Sequence, residues 1–455
     1  MKKVVNISEK ISFVLFCILM IDCSFMGFAA WGQFGPVASR MFVMVLTLLF
    51  AIPSLLMNWK KILSNKYVIM ALIFAAILVI GAIIGVLNKN NLGLILMDFK
   101  GFSCFVILPA ALVLLNSRER IHSVMKCILV GNTALALHSI ATLILFLYDK
   151  LLYYKMSLVC REAAFAYYGS VTGTIPRMFY QSVMYLLCGC AFAVYFYMTS
   201  KKKSRWVYCL LAGTYLFSII LSYTRSVYLG TALAAFALLI ILWVIGKKEE
   251  RKNLKYCILG ILISFALFLT IFGVATNTNY LKFAFLRATA GIIELPAGTG
   301  SGDDSGMDDI SDGEMAYIEQ TEASDDIRAL TLQGLYRNIK KSPLTGIGLG
   351  AAFKERPDGR NEYVYLDMIS KVGIIGLFIY MLPFAIMLRQ LWLKRKQLTV
   401  ENTFPLLNVI VLAGFMLASY FNPYMNGALG IFFYCFTIAN VSWFETSEVE
   451  CLKEN

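Results

Sequence analysis

The sequence is dominated by apolar runs long enough to cross a lipid bilayer, and this feature excludes an ordinary soluble fold. A membrane-spanning helix needs ~20 mostly apolar residues, and about 12 stretches of this kind follow one another along the chain. Hydrophobic residues make up 59% of the 455 residues and charged residues only 15%, whereas roughly a quarter of a soluble protein is charged. The predicted spans are residues 11–31, 39–58, 67–87, 94–116, 121–148, 178–199, 206–223, 226–246, 256–275, 366–388, 403–421 and 427–444.

The positions of the basic residues predict the orientation of these spans. Lys and Arg in short loops mark the cytoplasmic side of a membrane protein. They are dense at one set of span ends and sparse at the alternate ends, so both termini are predicted to be cytoplasmic. This distribution explains the formal charge of +13, and no nucleic-acid partner is expected because the basic residues do not cluster on a soluble face. The dense ends hold Lys2, Lys3, Lys10, Lys60, Lys61, Lys66, Arg118, Arg120, Lys201, Lys202, Lys203, Arg205, Lys247, Lys248, Arg251, Lys252, Lys255, Arg389, Lys394, Arg395 and Lys396.

One hydrophilic interruption is much longer than the others. Residues 276–365 separate nine spans within residues 1–275 from three spans and a cytoplasmic tail within residues 366–455. The orientation predicts that this loop lies outside the cytoplasm, together with a shorter outward segment at 149–177. A large outward loop suggests chemistry at the membrane surface, on a substrate too polar or too bulky to enter the bilayer.

The long loop divides by composition into two parts. Residues 297–326 are rich in Gly, Ser and acidic side chains, and they are predicted to be mobile. A calcium site among their aspartates is an alternative, but the spacing does not fit an EF-hand loop. Residues 327–341 are predicted to form an amphipathic helix, which Asp325 or Asp326 caps and Pro343 ends.

One arginine of this helix lies on its predicted docking face. Helical spacing places Arg328 beside four apolar residues, whereas Arg337 lies about 180° away around the helix. A charge held on a docking face requires a partner or an anionic ligand. The apolar residues that share the face with Arg328 are Leu332, Leu335, Tyr336 and Ile339.

Arg225 lies in a very short turn between two spans and has two interpretations. It is either an interfacial arginine that reaches the aqueous phase or a residue that contacts a phosphate group. The second interpretation follows from the planar guanidinium fork, which fits the geometry of phosphate oxygens.

The residues after the predicted helix leave further alternatives open. The glycines of Gly346-Ile-Gly-Leu-Gly350 indicate a close turn or packing site. A nucleotide-binding loop is disfavoured, because no strand precedes them and no Gly-Lys-Ser/Thr follows. Glu362 is a candidate general base or else a solvated loop carboxylate. Asp367 and Lys371 have the spacing of an ion pair along one helix.

The histidines and cysteines do not predict a reactive centre at the outer face. His122 falls on the predicted cytoplasmic side, and His138 falls within the fifth span. The 11 cysteines are scattered and form no Cys-x-x-Cys pair. They are therefore interpreted as small residues of a membrane core, not as disulfides or metal ligands.

Together these elements resemble the O-antigen ligase and Wzy polymerase superfamily of bacterial envelope glycan assembly. The string Ser-Tyr-Thr-Arg225-Ser-Val-Tyr-Leu is similar to a family element. Arg328 precedes Pro-Leu-Thr-Gly-Ile-Gly-Leu-Gly350 with the spacing of the family, and Gly-Thr-Ile-Pro-Arg177 is similar to its outward segment before a span. The resemblance covers residues 205–390 well and the first half of the chain mainly in topology.

The resemblance implies a fold, a substrate and a set of site residues. The fold is an all-α, GT-C-like transmembrane bundle, and the substrate is a glycan carried on undecaprenyl diphosphate in the membrane. No cofactor and no metal ion are implied. Arg225 and Arg328 are implied to contact the diphosphate, with Glu362 as the base at a position where ligases have a histidine. Further residues implied to bind the diphosphate or the glycan are Arg161, Arg177, Arg360 and Tyr363.

The function expected from this resemblance is polymerisation of lipid-linked oligosaccharide repeat units into O-antigen, capsular polysaccharide or exopolysaccharide. The glutamate at position 362 favours a polymerase over a ligase that moves finished glycan to a lipid or protein acceptor. A lipid-linked oligosaccharide flippase is a further alternative, although the sequence shows no convincing inverted repeat. The expected location is the bacterial cytoplasmic membrane, with a chain-length co-polymerase as a partner.

Overall fold

The computed structural model describes residues 2–27, 33–34, 37–163, 165–171, 175–289, 312–354, 356–357, 359 and 361–451. Within these residues, 10 helices are long and apolar enough to cross a membrane. Two shorter apolar helices, Val183–Thr199 and Phe404–Ala418, accompany them. The predicted all-α, polytopic helix bundle is thereby confirmed, whereas the count of about 12 spans and the side on which the termini lie stay predictions.

The helices follow the apolar runs, and polar residues cap several of their starts. Asn65 accepts a hydrogen bond from the Tyr67 N–H at the start of the third apolar run, and Ser117 accepts one from Arg120 at the start of the fifth. The helices are α1 (Lys2–Phe25), α2 (Ser39–Met57), α3 (Trp59–Leu63), α4 (Lys66–Leu87), α5 (Leu92–Ser103), α6 (Leu108–Leu114), α7 (Arg118–Tyr148), α8 (Lys150–Glu162), α9 (Val183–Thr199), α10 (Trp206–Leu221), α11 (Arg225–Ile245), α12 (Lys248–Thr276), α13 (Tyr280–Thr289), α14 (Asp312–Lys341), α15 (Val364–Leu393), α16 (Phe404–Ala418) and α17 (Ala428–Cys451).

Helices α9 and α17 lie at the centre of the bundle. Nearly every side chain of α9 is buried, and so is most of the membrane-spanning part of α17. The outer helices α2, α4, α11 and α12 bury one face and expose apolar side chains on the other. Such exposed apolar faces are expected of helices that contact lipid.

The segment at 149–177, which is predicted to face outward, leads through a helix into a hairpin, and its sequence specified neither. α8 packs on an antiparallel hairpin of β3 (Ala166–Val171) and β4 (Ile175–Tyr180), in which Gly169 lies opposite Arg177. A second, two-residue pair joins β1 (Gln33–Phe34) to β2 (Val37–Ala38).

The helix that carries Arg328 begins much earlier than predicted. α14 starts at Asp312, so the prediction of a start at Ile327 is wrong. Residues 312–326 contain good helix formers such as Glu, Ala and Met. The prediction of mobility is based on their acidic composition and does not take this helix propensity into account. The rest of the segment predicted to be mobile, residues 297–311, lies outside the described residues.

Candidate active site

A glycine-rich segment anchors the end of the long loop inside the bundle. Gly346, Gly348 and Gly350 have φ angles of 72°, 93° and 72°, which favour glycine over residues that carry a side chain. A Cβ atom on Gly348 would lie 2.2 Å from the backbone nitrogen of Gly85 in α4, which is too close for nonbonded atoms. The segment is therefore a close packing site, in agreement with the interpretation of its glycines.

The same segment completes the hydrogen bonding of a broken helix. α15 is interrupted at Gly373, where φ is 73° and ψ is 178°. The Ile347 N–H donates to the Ser370 carbonyl at 2.8 Å, and the Ile374 N–H donates to the Pro343 carbonyl at 2.9 Å. Backbone groups next to the break are thus paired with the loop, as irregular backbone at membrane depth requires.

A buried ion network lies beside this break and confirms the predicted pairing of Asp367 with Lys371. The Lys371 Nζ lies 2.8 Å from Asp367 Oδ2 and 2.8 Å from Asp98 Oδ1, and the lysine side chain is only 5% exposed. Asp98 also accepts a hydrogen bond from the Gly350 N–H at 2.8 Å. Asn361 donates to Asp367 at 2.5 Å. The polar stretch between the glycine-rich segment and α15, residues 351–363, is named the loop return. The network therefore ties α5, the glycine-rich segment and the loop return to α15.

Asp98 is a member of this network that sequence reasoning did not identify. Its signal in the sequence is an acidic residue within an apolar span, which in a membrane protein indicates a paired or functional group. Its partner Lys371 lies 273 positions further along the chain, so no local pattern could assign the pair.

Arg328 lies half-buried on the packed face of α14, where its helical position predicted it. Thr331, Leu335 and Asn338 are buried on the same face. Tyr336 is 49% exposed, so its predicted place on the docking face is wrong. The packed face is therefore narrower and more polar than the apolar spacing suggested.

Close approach of the loop return explains this shift of the docking face. A Cβ atom on Gly334 would lie 2.4 Å from the ring of Phe353, so the glycine lets the ring pack directly on the helix. Leu332 and Ile339 are only partly buried at the border of the contact, and Arg337 is exposed, as predicted.

Three charged side chains meet where α14 packs against the loop return. Arg328 Nε lies 2.8 Å from Glu362 Oε2, and Arg356 Nη2 lies 3.6 Å from Glu362 Oε1. The Arg356 Nε also donates to Thr331 Oγ1 at 3.4 Å. The side chains of Arg328, Arg356 and Glu362 are 25%, 26% and 35% exposed. These three residues are named the arginine–carboxylate cluster.

Arg356 is the member of the cluster that the predicted site lacked. It stands in a polar stretch with several other charged residues, and nothing in that stretch distinguishes it from a solvated loop arginine. Only the packing of the loop return on α14 brings its guanidinium group to Glu362.

Arg225 lies at the end of the bundle where the connection between α16 and α17 turns. It is the first residue of α11 and is half-buried. The side chain of the next residue, Ser226, accepts a hydrogen bond from the Asn422 amide in that connection. The start of α11 is therefore tied to the α16–α17 connection.

The α16–α17 connection also contacts the residue that follows the cluster. The ring of Tyr363 lies 6.2 Å from the rings of both Tyr420 and Phe421, measured between centroids. Tyr363 follows Glu362 in the chain. One connection thus touches both the start of α11, where Arg225 lies, and the neighbour of the arginine–carboxylate cluster.

The other predicted site residues lie on other elements than the arginine–carboxylate cluster. Arg177 is half-buried in β4, which contacts α7 and α10. Arg161 is exposed in the last turn of α8, on the hairpin side of the molecule. Arg360 lies outside the described residues.

His138 packs beneath the hairpin, within α7 as predicted. Its Nδ1 lies 2.9 Å from the Tyr180 hydroxyl and 3.4 Å from the Tyr168 hydroxyl. The contacts indicate a role in holding the hairpin against the bundle.

The arginine–carboxylate cluster has the chemical groups to bind an anion and to take up a proton. The two guanidinium groups offer several N–H donors, and the carboxylate is an acceptor. Among the described residues, no group of three or more His, Cys, Asp or Glu side chains could hold a metal ion. The aspartates of the calcium alternative have no described side chains.

Comparison with known proteins adds one finding about this region. Residues 207–381 match the family model described as O-antigen ligase. This stretch runs from α10 into α15 and includes Arg225 and the arginine–carboxylate cluster. No curated protein matches the chain. The match confirms the resemblance to the O-antigen ligase and polymerase superfamily.

Proposed function

We propose that this multi-pass membrane protein, with its O-antigen ligase region at residues 207–381, is a glycan polymerase. It joins repeat units carried on undecaprenyl diphosphate into O-antigen, capsular polysaccharide or exopolysaccharide. The reaction takes place at the outer face of the bacterial cytoplasmic membrane. A chain-length co-polymerase is its proposed partner.

The observation that carries the proposal is the contact between Arg328 and Glu362. The Arg328 Nε lies 2.8 Å from the Glu362 carboxylate, and both groups are open to solvent in part. Transfer of a glycan needs positive charge at the leaving group and a proton acceptor at the attacking hydroxyl. This contact supplies both groups within one small volume.

The proposed reaction replaces one bond at the anomeric carbon by another. The oxygen of an acceptor hydroxyl attacks the anomeric carbon of the donor, and the bond from that carbon to the phosphate oxygen breaks. The diphosphate leaves with the bonding electrons, and the hydroxyl proton passes to Glu362. Arg225 and Arg328 stabilise the departing diphosphate, so no metal ion is part of the proposal. Arg161, Arg177, Arg360 and Tyr363 remain proposed contacts for the diphosphate or the glycan.

Glu362 favours polymerisation over ligation to a lipid or protein acceptor. By resemblance, ligases have a histidine at the position that Glu362 occupies here. A carboxylate removes a proton as a histidine does, so this difference bears on the subfamily and not on the class of reaction.

Substitution of Arg328 by alanine tests the proposal. Loss of its guanidinium group should abolish long chains while single repeat units still reach the acceptor, because ligation is then the work of another enzyme. The length distribution of the polysaccharide on a gel measures this outcome. Arg337→Gln is the matched control, since it removes an exposed charge from the far side of the same helix.

Other results would favour other members of the superfamily or another class. Loss of single capped repeats together with long chains would favour a ligase or a flippase and contradict a polymerase. Wild-type chain lengths in the Arg328→Ala protein would remove Arg328 from the site.

A further inference from the structure

We propose that the donor diphosphate releases Glu362 from its two arginines, so that the base becomes available only when the leaving group is bound. This mechanism rests on the proposed function and specifies how the same site is switched on. Arg356, which the predicted site lacked, is here a further contact of the diphosphate beside Arg225 and Arg328.

The resting geometry occupies both oxygens of the carboxylate. Oε2 of Glu362 lies 2.8 Å from the Arg328 Nε, and Oε1 lies 3.6 Å from the Arg356 Nη2. In this state each oxygen of the Glu362 carboxylate faces a guanidinium group and not the hydroxyl of an acceptor.

The same geometry leaves the two guanidinium groups within reach of a ligand. About a quarter of each arginine side chain is exposed, and so is about a third of Glu362. Arg356 is held against α14 by its contact with Thr331, one helical turn after Arg328. Both arginines therefore belong to one surface, across which a diphosphate can extend.

A diphosphate competes well for these groups because of its charge and its oxygens. It carries more negative charge than a carboxylate, and its oxygens suit the planar guanidinium fork. Exchange of one anion for another keeps each guanidinium group paired, and the carboxylate that is released is exposed enough to be solvated. Glu362 is then left without its two partners.

The exchange sets the order of events in the proposed reaction. Before the donor binds, the carboxylate neutralises the arginines and does not deprotonate an acceptor hydroxyl. After the donor binds, the freed carboxylate accepts the hydroxyl proton while the arginines hold the departing diphosphate. The base and the leaving-group contacts thus become active together.

Binding of inorganic pyrophosphate to the purified full-length protein tests the exchange. Glu362→Gln should bind pyrophosphate about five-fold more tightly than the wild type, because the anion no longer displaces a carboxylate. Arg356→Gln should bind pyrophosphate more weakly than the wild type. The affinity of Arg356→Lys should lie between those of the wild type and Arg356→Gln, because lysine keeps the charge without the guanidinium fork. In the Arg328→Gln, Arg356→Gln background, Glu362→Gln should give no gain, because no guanidinium pair remains to be released.

A matched control separates this exchange from a general effect of charge. Lys354→Gln removes an exposed positive charge from the same stretch, and the Glu362→Gln gain should persist in its background. Glu362→Gln could instead raise the pyrophosphate affinity equally in the Arg328→Gln, Arg356→Gln background. The gain would then come from long-range electrostatics alone, and this result would overturn the exchange. Unchanged or weaker pyrophosphate binding by Glu362→Gln would overturn it as well.

Measurement of turnover distinguishes a failure of the proposed exchange from a failure of the proposed function. With lipid-linked donor, Glu362→Gln should lower kcat by about 100-fold or more while the KM for the donor falls or stays level. Membrane insertion should be unaltered in this variant. Polymerisation at the wild-type rate would remove Glu362 as the base and overturn the exchange. If pyrophosphate binding behaves as expected but no donor is polymerised, only the proposed function fails.

Discussion

Two charged triads of opposite composition explain much of the site at the scale of residues. Lys371 is held between two aspartates and is almost completely buried, whereas Glu362 is held between two arginines and is partly exposed. A buried triad cannot exchange partners with a ligand, because any unpaired member would remain away from water. An exposed triad can do so. We therefore assign the first triad to structure, and we propose that the second carries the chemistry.

Substitution of Lys371 by methionine should destabilise the protein strongly. It leaves Asp98 and Asp367 buried without their shared cation, and loss of one member of a buried ion pair costs about 3–5 kcal/mol. The free energy of unfolding in detergent measures the loss. Lys66→Met is the matched control, since Lys66 is 37% exposed in its pair with Glu445 and its removal should cost much less, about 0–1 kcal/mol. Equal losses in the two variants would contradict a structural role for the buried triad.

The sequence identified individual site residues to different degrees. Arg328 stood out because a charge on a docking face needs a partner, and Glu362 is that partner in the structure. Asp367 and Lys371 stood out because they are four residues apart on a helix. Asp98 and Arg356 could not be assigned, because their contacts join segments that only the tertiary fold brings together.

At the scale of elements, the site depends on how the loop return is anchored. The helix α15 is broken at Gly373, and the glycine-rich segment fills the space beside the break. Asn361, which precedes Glu362 in the chain, donates a hydrogen bond to Asp367 of the buried triad. The position of the Glu362 carboxylate is thus set by backbone packing some distance along the chain.

Substitution of Gly348 by alanine should disrupt this anchor. The residue has a φ of 93°, and a Cβ atom would lie 2.2 Å from the Gly85 nitrogen, so both strain and overlap oppose the change. We expect a loss of roughly 2–4 kcal/mol in the free energy of unfolding, together with loss of polymer. Gly169→Ala is the control, because no atom lies within 4 Å of the added carbon. Normal stability in Gly348→Ala would show that the segment can move away from α4.

Helix boundaries and hairpins were the elements that the sequence specified least well. Apolar runs located the candidate membrane helices, because a helix needs a minimum apolar length to cross a bilayer. No such constraint acts outside the membrane. The start of α14 and the β3–β4 hairpin were therefore decided by propensity and packing that composition alone does not reveal.

At the scale of the whole molecule, separate spans bring the candidate residues to one end of the bundle. The α16–α17 connection contacts both the start of α11 and Tyr363 beside the cluster. The distribution of basic residues predicts that this end faces outward. Spans far apart in the chain thus meet around the candidate site.

Labelling of introduced cysteines in intact cells tests this orientation. In a variant whose native cysteines are replaced, Tyr336→Cys on the exposed side of α14 should react with a membrane-impermeant maleimide from outside. Lys203→Cys, between α9 and α10, should react only after the membrane is permeabilised, because its loop carries a dense cluster of basic residues. The reverse pattern would invert the predicted topology and move the site to the cytoplasmic face.

The break in α15 has a consequence for how the protein is assembled in the membrane. Its freed backbone groups are paired by residues 343–348, and that segment in turn contacts α4 near Gly81 and Gly85. A lone α15 would expose those groups to hydrocarbon at considerable cost. Newly made α15 is therefore expected to wait at the insertion machinery until α4, made much earlier, is available as its docking partner.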